Sequence, residues 1–411
     1  MFVQLTPHDE ILSLTKLPLL FSTLTPSACM DLACQIAWQG VGHTKTNPLV
    51  GAVVVDKNHR FLGAAAHLQY GGPHAEVQLF TSIQEQGLAE HLEGATLYVT
   101  LEPCAHQGKT PPCAAYLLDF PLKKVVVGVV DPNPLVNGKG LQLLKENQIL
   151  TEVPEEFTQK ALSLLEFFFH YQSKKTPFVG LKAAFNLSGA IGLKDSSRLE
   201  ITQARARTYG HWLRQHYQSI LVGAGTVIAD NPTLTVRHEH LPRKRTPLRL
   251  VLDPDGRALT HRALRETNLL NHEADKTMWV CSEDFYQSPT GNLLRKELID
   301  LGAKTLALPY AQTGFDLPLF LQQLGAMGIS STLLEGGAKI WGSFLEQDLV
   351  QKCHLFIAPT LISTANAIHW SDHFTGLKKS IQLHNISITP LDENLLLEGT
   401  CTQEGKAACT I

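Results

Sequence analysis

Pro73-His74-Ala75-Glu76, followed by Leu101-Glu102-Pro103-Cys104 and then by Pro112-Cys113, decides how this 411-residue chain is read. One histidine and two cysteines make the three-ligand set of a zinc centre whose fourth position stays open to water. Water at such a centre ionises near neutral pH and becomes a nucleophile. Glu76, two residues past His74, is close enough to move protons there without binding the metal. His74 opens an apolar pattern at helical spacing (Ala75, Val77, Leu79, Phe80), and Cys104 follows a strand-like run from Ala95 to Leu101. That context disfavours a chance His–Glu pair with two core cysteines. A purely structural zinc site fails because only three ligands are offered and a carboxylate stands beside them.

H-x-E followed by P-C-x-x-C is the pattern of zinc-dependent base deaminases. Here the second cysteine comes nine positions after Cys104, across the polar loop Ala105-His106-Gln107-Gly108-Lys109-Thr110-Pro111-Pro112. Working outward, Ser27 can cap a helix of apolar spacing that runs to about Gln39 and stops at Gly40, and Val50–Val55 reads as a buried strand. After the turn Asp56-Lys57-Asn58, Phe61–His67 is a second strand. A helix from His74 to about Gln86, a strand over 95–101, a helix over 111–119 and a strand from Lys124 to Val130 complete an alternation. It predicts an α/β sandwich with a largely parallel sheet. Both ligand-bearing segments then fall at helix starts, whose positive ends favour thiolate.

The chain is long enough for two domains. With 44% hydrophobic and 18% charged residues it has the composition of a soluble protein, and no apolar run reaches the length of a membrane span. A net charge of −3 with no dense Lys/Arg block argues against a nucleic-acid partner. The eight cysteines are too scattered for a disulfide framework, and those other than Cys104 and Cys113 read as buried thiols. Residues 1–26 form an extension, a helix or an arm, without the basic start and cleavage site of a secretory signal. The cytoplasm is the expected compartment.

Asn47-Pro48-x-Val50-Gly51, His74-Ala75-Glu76, Thr100-Leu101-Glu102-Pro103-Cys104, Thr110-Pro111-Pro112-Cys113 and Asp131-Pro132-Asn133-Pro134 together resemble the deaminase domain of the bifunctional riboflavin-biosynthesis deaminase–reductases. Leu181-Lys182-Ala183, Gly223 to Arg237, Leu250 to Asp253 and Glu335-Gly336-Gly337 resemble the reductase domain of the same family. The resemblance implies a cytidine-deaminase-like three-layer α/β/α domain over 27–150, a linker helix over 151–176, a dihydrofolate-reductase-like α/β domain over 177–400 and a tail over 401–411. It implies zinc and NADPH as cofactors and a phosphoribosylaminopyrimidine as the small-molecule substrate, with no nucleic acid or membrane as partner; a homo-oligomer is expected. Deamination of the ring, with Glu76 as general base and then acid, would precede reduction of the ribosyl side chain to ribitylamino.

By the same resemblance Asn47, His106, Lys109 and Asn133 would contact ring and phosphate, though each is equally open to the reading of a turn residue bonding its own backbone. In the reductase half, Lys182, Arg198, Arg214, Leu234, Arg237 and Glu335 would line the substrate, arginine forks suiting its phosphate. Ala184, Glu200, Thr226, Asp230 and Pro254 would line the cofactor, together with the segment Gly337, Ala338, Lys339, Ile340, Trp341, Gly342 and Ser343. A glycine pair between strand and helix lets backbone N–H groups reach a phosphate, although the G-x-G-x-x-G fingerprint is absent. Phe167-Phe168-Phe169 reads as packing between domains. The chain departs from the family at Asn186-Leu187-Ser188-Gly189, where Ser/Thr-Leu-Asp-Gly is usual. It also has Arg198 and Glu200 where serine and tryptophan are usual before Ile201-Thr202. Those departures keep open a deaminase with a degenerate or structural reductase-like domain.

Overall fold

The computed structural model describes residues 17–105, 112–133, 137–194, 199–237, 244–312, 314–372, 374, 376–377 and 380–403. They divide between Lys175 and Thr176 into two compact units.

In the first unit, helix α1 (Pro26–Ala37) is capped by Thr25 and not by Ser27: the Thr25 hydroxyl accepts from the Ala28 N–H at 3.2 Å, and Pro26 takes the first helical position, where its fixed φ suits the turn. Strands β1 (Gly51–Val55), β2 (Phe61–Ala66), β3 (Ala95–Leu101), β4 (Leu122–Val129) and β5 (Leu150–Glu152) form a sheet ordered β2-β1-β3-β4-β5. The largely parallel sheet expected from the alternation is corrected: β1 runs antiparallel to both β2 and β3, and only β3–β4 and β4–β5 are parallel. The cause is local. The Asp56 carboxylate accepts from the N–H groups of Asn58 and Arg60, closing a tight turn that allows only a hairpin.

Helix α2 (Ala75–Glu85) covers one face through Leu79 and Ile83, which meet Gly63. On the other face Val53, Val55, Tyr98 and Val126 pack with α1 residues and with Phe157 of α5 (Glu155–Lys174). A short helix α3 (Cys113–Tyr116) precedes β4, and α4 (Lys139–Glu146) precedes β5. Three layers result. Gly51 makes the closest approach: a Cβ there would lie 1.9 Å from the Ala33 carbonyl oxygen. Of the N-terminal extension, residues 1–16 lie outside the described residues; Phe21 and Ser22 pair with Phe61 as an arm along β2.

The second unit is built on nine strands: β6 (Phe178–Asn186), β7 (Ser219–Gly223), β8 (Leu248–Leu252), β9 (Thr277–Ser282), β10 (Lys304–Leu308), β11 (Ser331–Leu334), β12 (Lys352–Ala358), β13 (Ile381–Leu391) and β14 (Asn394–Gln403). Their order is β10-β9-β8-β7-β11-β6-β12-β14-β13, parallel except at β12–β14 and β14–β13. Odd positions of β6 (Val179, Leu181, Ala183) face a large apolar core with Leu355 of β12. Even positions carry Lys182, whose strand partner is His354. Helices α6 (Ala204–His216), α7 (Ala224–Asp230) and α8 (Ala338–Glu346) place the residues that matter below.

Candidate metal centre and reductase cleft

His74 is the N-cap of α2 and Cys113 the first residue of α3, while Cys104 follows β3 after two further residues. The fold thereby brings His74 Nδ1, Cys104 Sγ and Cys113 Sγ within 4.8 Å of one another. His74 Nδ1 stands 3.1 Å from Cys113 Sγ and 3.7 Å from Cys104 Sγ, and the Cys113 N–H donates to Cys104 Sγ at 3.3 Å. The Cys104 thiol is pulled down to about 4, first by the hydrogen bond from Cys113 and then by His74; its partner Cys113 is pushed up, because the two sulfurs share one site. Glu76 is buried in the first turn of α2, and burial raises its carboxyl above the usual range. Two soft thiolates with one imidazole in a tetrahedral-sized space are a donor set for zinc.

Beside the ligands lies a cavity of about 280 Å³. Asn47 and Asn133 line it, as the sequence reading expected, while His106 and Lys109 lie outside the described residues. Three features were not read from the sequence. His67 Nδ1 sits 2.9 Å from the Pro73 carbonyl, which can only accept, so its Nε2, 3.1 Å from Asn47 Nδ2, accepts and fixes the Asn47 amide. Burial lowers the His67 pKa, in keeping with that neutral tautomer. The Glu102 carboxylate accepts from the N–H groups of Asp131, Gly138, Gly140 and Leu141, anchoring the loop that carries Asn133 to the strand that carries Cys104. Finally, Phe168, Tyr171 and Gln172 of α5 line the cavity wall. Phe168 is thus corrected from packing alone to a residue of the pocket; one helical turn separates it from Tyr171 and Gln172, a stripe that its aromatic neighbours mask in the sequence.

In the second unit a cavity of about 170 Å³ opens at the carboxyl ends of β7 and β11. Thr226, Pro254, Gly337, Lys339, Ile340 and Ser343 line it. Gly337 has φ +64°, and a Cβ on Gly336 would stand 2.9 Å from Thr226 Oγ1. Backbone alone therefore fills the space before α8, a cradle suited to a dinucleotide phosphate. Ala338, Trp341 and Gly342 of the same segment are buried, Ala338 and Trp341 in the core, since a helix can turn only one side to the cavity. Ala184, Asp230 and Glu200 do not line it. Ala184 is on β6, beyond β11; Asp230 ends α7, about one and a half turns past Gly225; Glu200 is exposed in a separate recess and pairs with Arg207 at 3.0 Å. Arg198 lies outside the described residues.

One residue before the glycine pair, Glu335 grips Arg214 of α6 by two hydrogen bonds of 2.7 Å, and Arg214 Nη1 also donates to the Thr235 carbonyl. The fork expected to meet a phosphate is thus occupied by a carboxylate. Burial lowers the Lys182 pKa against the pull of Glu335, and its ammonium lies 5.4 Å from the centre of the Phe356 ring. Leu234 is buried at φ +51°, and exposed Arg237 donates to Thr233 from its side chain and to His211 Nδ1 from its backbone. His211, not read from the sequence, is held at about 4 by burial and by Arg214 and Arg237. The departure at Ser188 is satisfied locally: its hydroxyl donates to the Ile362 carbonyl and accepts from the Ile362 N–H, while Asn186 Oδ1 closes the turn.

A His/Cys/Cys centre with a buried glutamate on a three-layer α/β unit, followed by a doubly wound unit with a glycine cradle, defines a zinc-dependent deaminase joined to a nucleotide-dependent reductase. Comparison with known proteins agrees. The cytidine and deoxycytidylate deaminase zinc-binding region matches residues 25–129, and the RibD C-terminal domain matches 177–396. The riboflavin biosynthesis protein RibD of Bacillus amyloliquefaciens is 38% identical over 373 residues, covering 90% of this chain and 94% of its own. That of Actinobacillus pleuropneumoniae is 36% identical, covering 92% and 96%. Among solved structures, RibD of Acinetobacter baumannii (TM-score 0.75, 32% identity) and the deaminase/reductase of Thermotoga maritima (TM-score 0.75, 31% identity) each cover 91% of this chain and are themselves covered to 98%. The chain belongs to the RibD family of riboflavin-biosynthesis enzymes. It is an enzyme with deaminase and reductase activities, and its cofactors are zinc and NADPH. The reductase-domain match spans the second unit, which favours the bifunctional reading over a degenerate one.

Proposed function

We propose that the first unit deaminates a diaminohydroxyphosphoribosylaminopyrimidine and that the second reduces the resulting 5-amino-6-(5-phosphoribosylamino)uracil. The Thermotoga maritima neighbour carries both activities in its name. The observation that carries the reading is the convergence of His74, Cys104 and Cys113 with Glu76 buried in the first turn of the helix that follows His74. Those three residues would hold zinc, which supplies the Lewis acidity that makes water nucleophilic near neutral pH. Glu76 accepts the proton of the attacking water and returns it to the departing amine nitrogen. Asn47, oriented by His67, and Asn133, held by the Glu102-anchored loop, position the ring; His106 and Lys109 are assigned to ring and phosphate on sequence grounds.

In the second unit Gly337, Lys339, Ser343, Thr226 and Pro254 would hold the dinucleotide, whose chemistry when bound would be hydride donation for the reduction of the ribosyl side chain. Glu335 keeps Arg214 in place, half-buried Lys182 offers a cation for ribose oxygens, and exposed Arg237 offers a fork to the phosphate. The domain limits at 27–150 and 177–400, a homo-oligomeric assembly and a cytoplasmic location belong to the same proposal. In keeping with the location, no helix among the described residues is long and apolar enough to cross a membrane.

Zinc analysis with an ammonia-release assay on wild type and Glu76→Ala tests the deaminase. The variant should keep zinc and lose turnover by about 10²-fold or more. A zinc-loaded variant that deaminates at the wild-type rate would overturn the role given to Glu76.

A further inference from the structure

Cys353 and Cys401 were read from the sequence as unrelated thiols, 48 positions apart. The fold places their sulfurs 3.2 Å from each other. Cys353 lies on β12 directly opposite Gly399 of β14, and Cys401 is the next residue of β14 on that face. With no side chain on Gly399, nothing stands across the diagonal between the two thiols. The Cys401 N–H donates to the Gln351 carbonyl at 2.9 Å, so the pairing holds to this end of the strand. Cys353 is buried in the apolar core, whereas Cys401 is half-buried at its margin. Cys401 is therefore the more exposed of the two thiols. Both sit on the face opposite Lys182, His354 and Glu398, since side chains alternate along each strand.

We propose that Cys353 and Cys401 are a redox-active dithiol that reacts with a low-molecular-weight disulfide, such as oxidised glutathione, and closes to an intramolecular disulfide between β12 and β14. Cys401 as thiolate attacks one sulfur of the small disulfide, forming a mixed disulfide and releasing one thiolate. Cys353, deprotonated, then attacks Cys401 Sγ and expels the second. Two protein thiols are oxidised, one small disulfide is reduced to two thiols, and both protons leave with them. The sulfurs need to close by roughly 1.2 Å to reach a bonded distance of about 2.05 Å. The cross-link ties the penultimate strand of the sheet order, contributed by the end of the described chain, to its interior. It does so on the apolar face, so its effect falls on unfolding and not on either active site. A reducing medium keeps the pair open.

The test uses the full-length zinc-loaded protein in a Cys409→Ser background, because Cys409 lies outside the described residues. The protein is exposed to oxidised glutathione, its remaining thiols are alkylated, and it is mapped by mass spectrometry. The expected product lacks glutathione, has two fewer alkylated thiols, and yields one linked peptide joining Cys353 to Cys401. Its Tm rises by roughly 5 °C, and dithiothreitol reverses the rise. Cys401→Ser should abolish both changes, and Cys353→Ala checks the same loss from the buried side should serine disturb the strand. Full alkylation of both cysteines after exposure, a stable glutathione adduct on Cys401 without the internal link, or a link to another cysteine would each overturn the proposal.

Discussion

The metal centre and the reductase cleft both gather charge out of water, but they do so by opposite means. In the first unit three ligands converge from two helix starts and the end of a strand, and their side-chain type, one imidazole and two thiols, is what suits them to zinc. In the second, Arg214 and Glu335 neutralise each other, Arg214 holding the Thr235 carbonyl as well, and the space beside them is shaped by glycine backbone. The first site is held together by what it binds. The second is held together by its own ion pair and awaits its ligands ready-made.

The largest effect should come from breaking the first site. Cys113→Ala removes one ligand, so bound zinc should fall to near background and ammonia release by about 10³-fold or more. Reductase turnover on the deaminated substrate should stay within twofold. Zinc content unchanged in this variant would show that the three-ligand reading is wrong.

The second site should break in stability before it breaks in chemistry. Glu335→Gln leaves the Arg214 guanidinium buried without its counter-charge, at a cost of about 3–5 kcal/mol. The urea midpoint of the second unit should drop while zinc content and ammonia release hold. Arg214→Met combined with Glu335→Leu should recover most of that midpoint and none of the reductase activity. If the double variant is as unstable as the single, the pair is not what organises the cleft.

This difference also explains what the sequence could say. Ligand chemistry leaves a pattern in residue types, so His74, Cys104, Cys113 and Glu76 are legible, as is the Gly336-Gly337 pair, whereas Thr226 comes only with the family resemblance. Backbone chemistry leaves almost none. Glu102 was visible as a letter in a motif, but its work is done on four N–H groups of a loop some thirty residues away. His67 acts through a tautomer, which no spacing records. Asp230 and Trp341 were carried along with a matched segment, and the helical turn points them elsewhere. The strands β13 and β14 were missed because Asn385, Pro390 and the turn at Asp392 interrupt their apolar alternation; Asn385 and Asp392 both have positive φ.

A smaller effect sharpens the cradle. Gly337→Ala places a side chain at φ +64°, which costs about 1–2 kcal/mol. NADPH should bind roughly tenfold more weakly, read by fluorescence titration, with deamination untouched. An unchanged affinity would move the dinucleotide away from this turn.

The smallest effect separates the sites by pH. His211 has Arg214, Arg237 and Glu335 as charged neighbours, and its pKa is lowered from 6.5 to about 4, first by burial and then by the two cations. The unfolded chain therefore takes up this proton before the folded one does. Stability from this group is intact above about pH 6.5, is lost as pH falls towards 4, and changes no further below that. Glu335 adds its own loss at lower pH: burial pushes its carboxyl up, but Arg214, with Lys182 and His211, together hold it below the usual range. In His211→Gln, stability should fall less steeply with acid between pH 6.5 and 4, measured as urea midpoints of the second unit. Parallel curves for variant and wild type would mean that His211 titrates as an exposed imidazole does, and that the cleft is wetter than its ion pair requires.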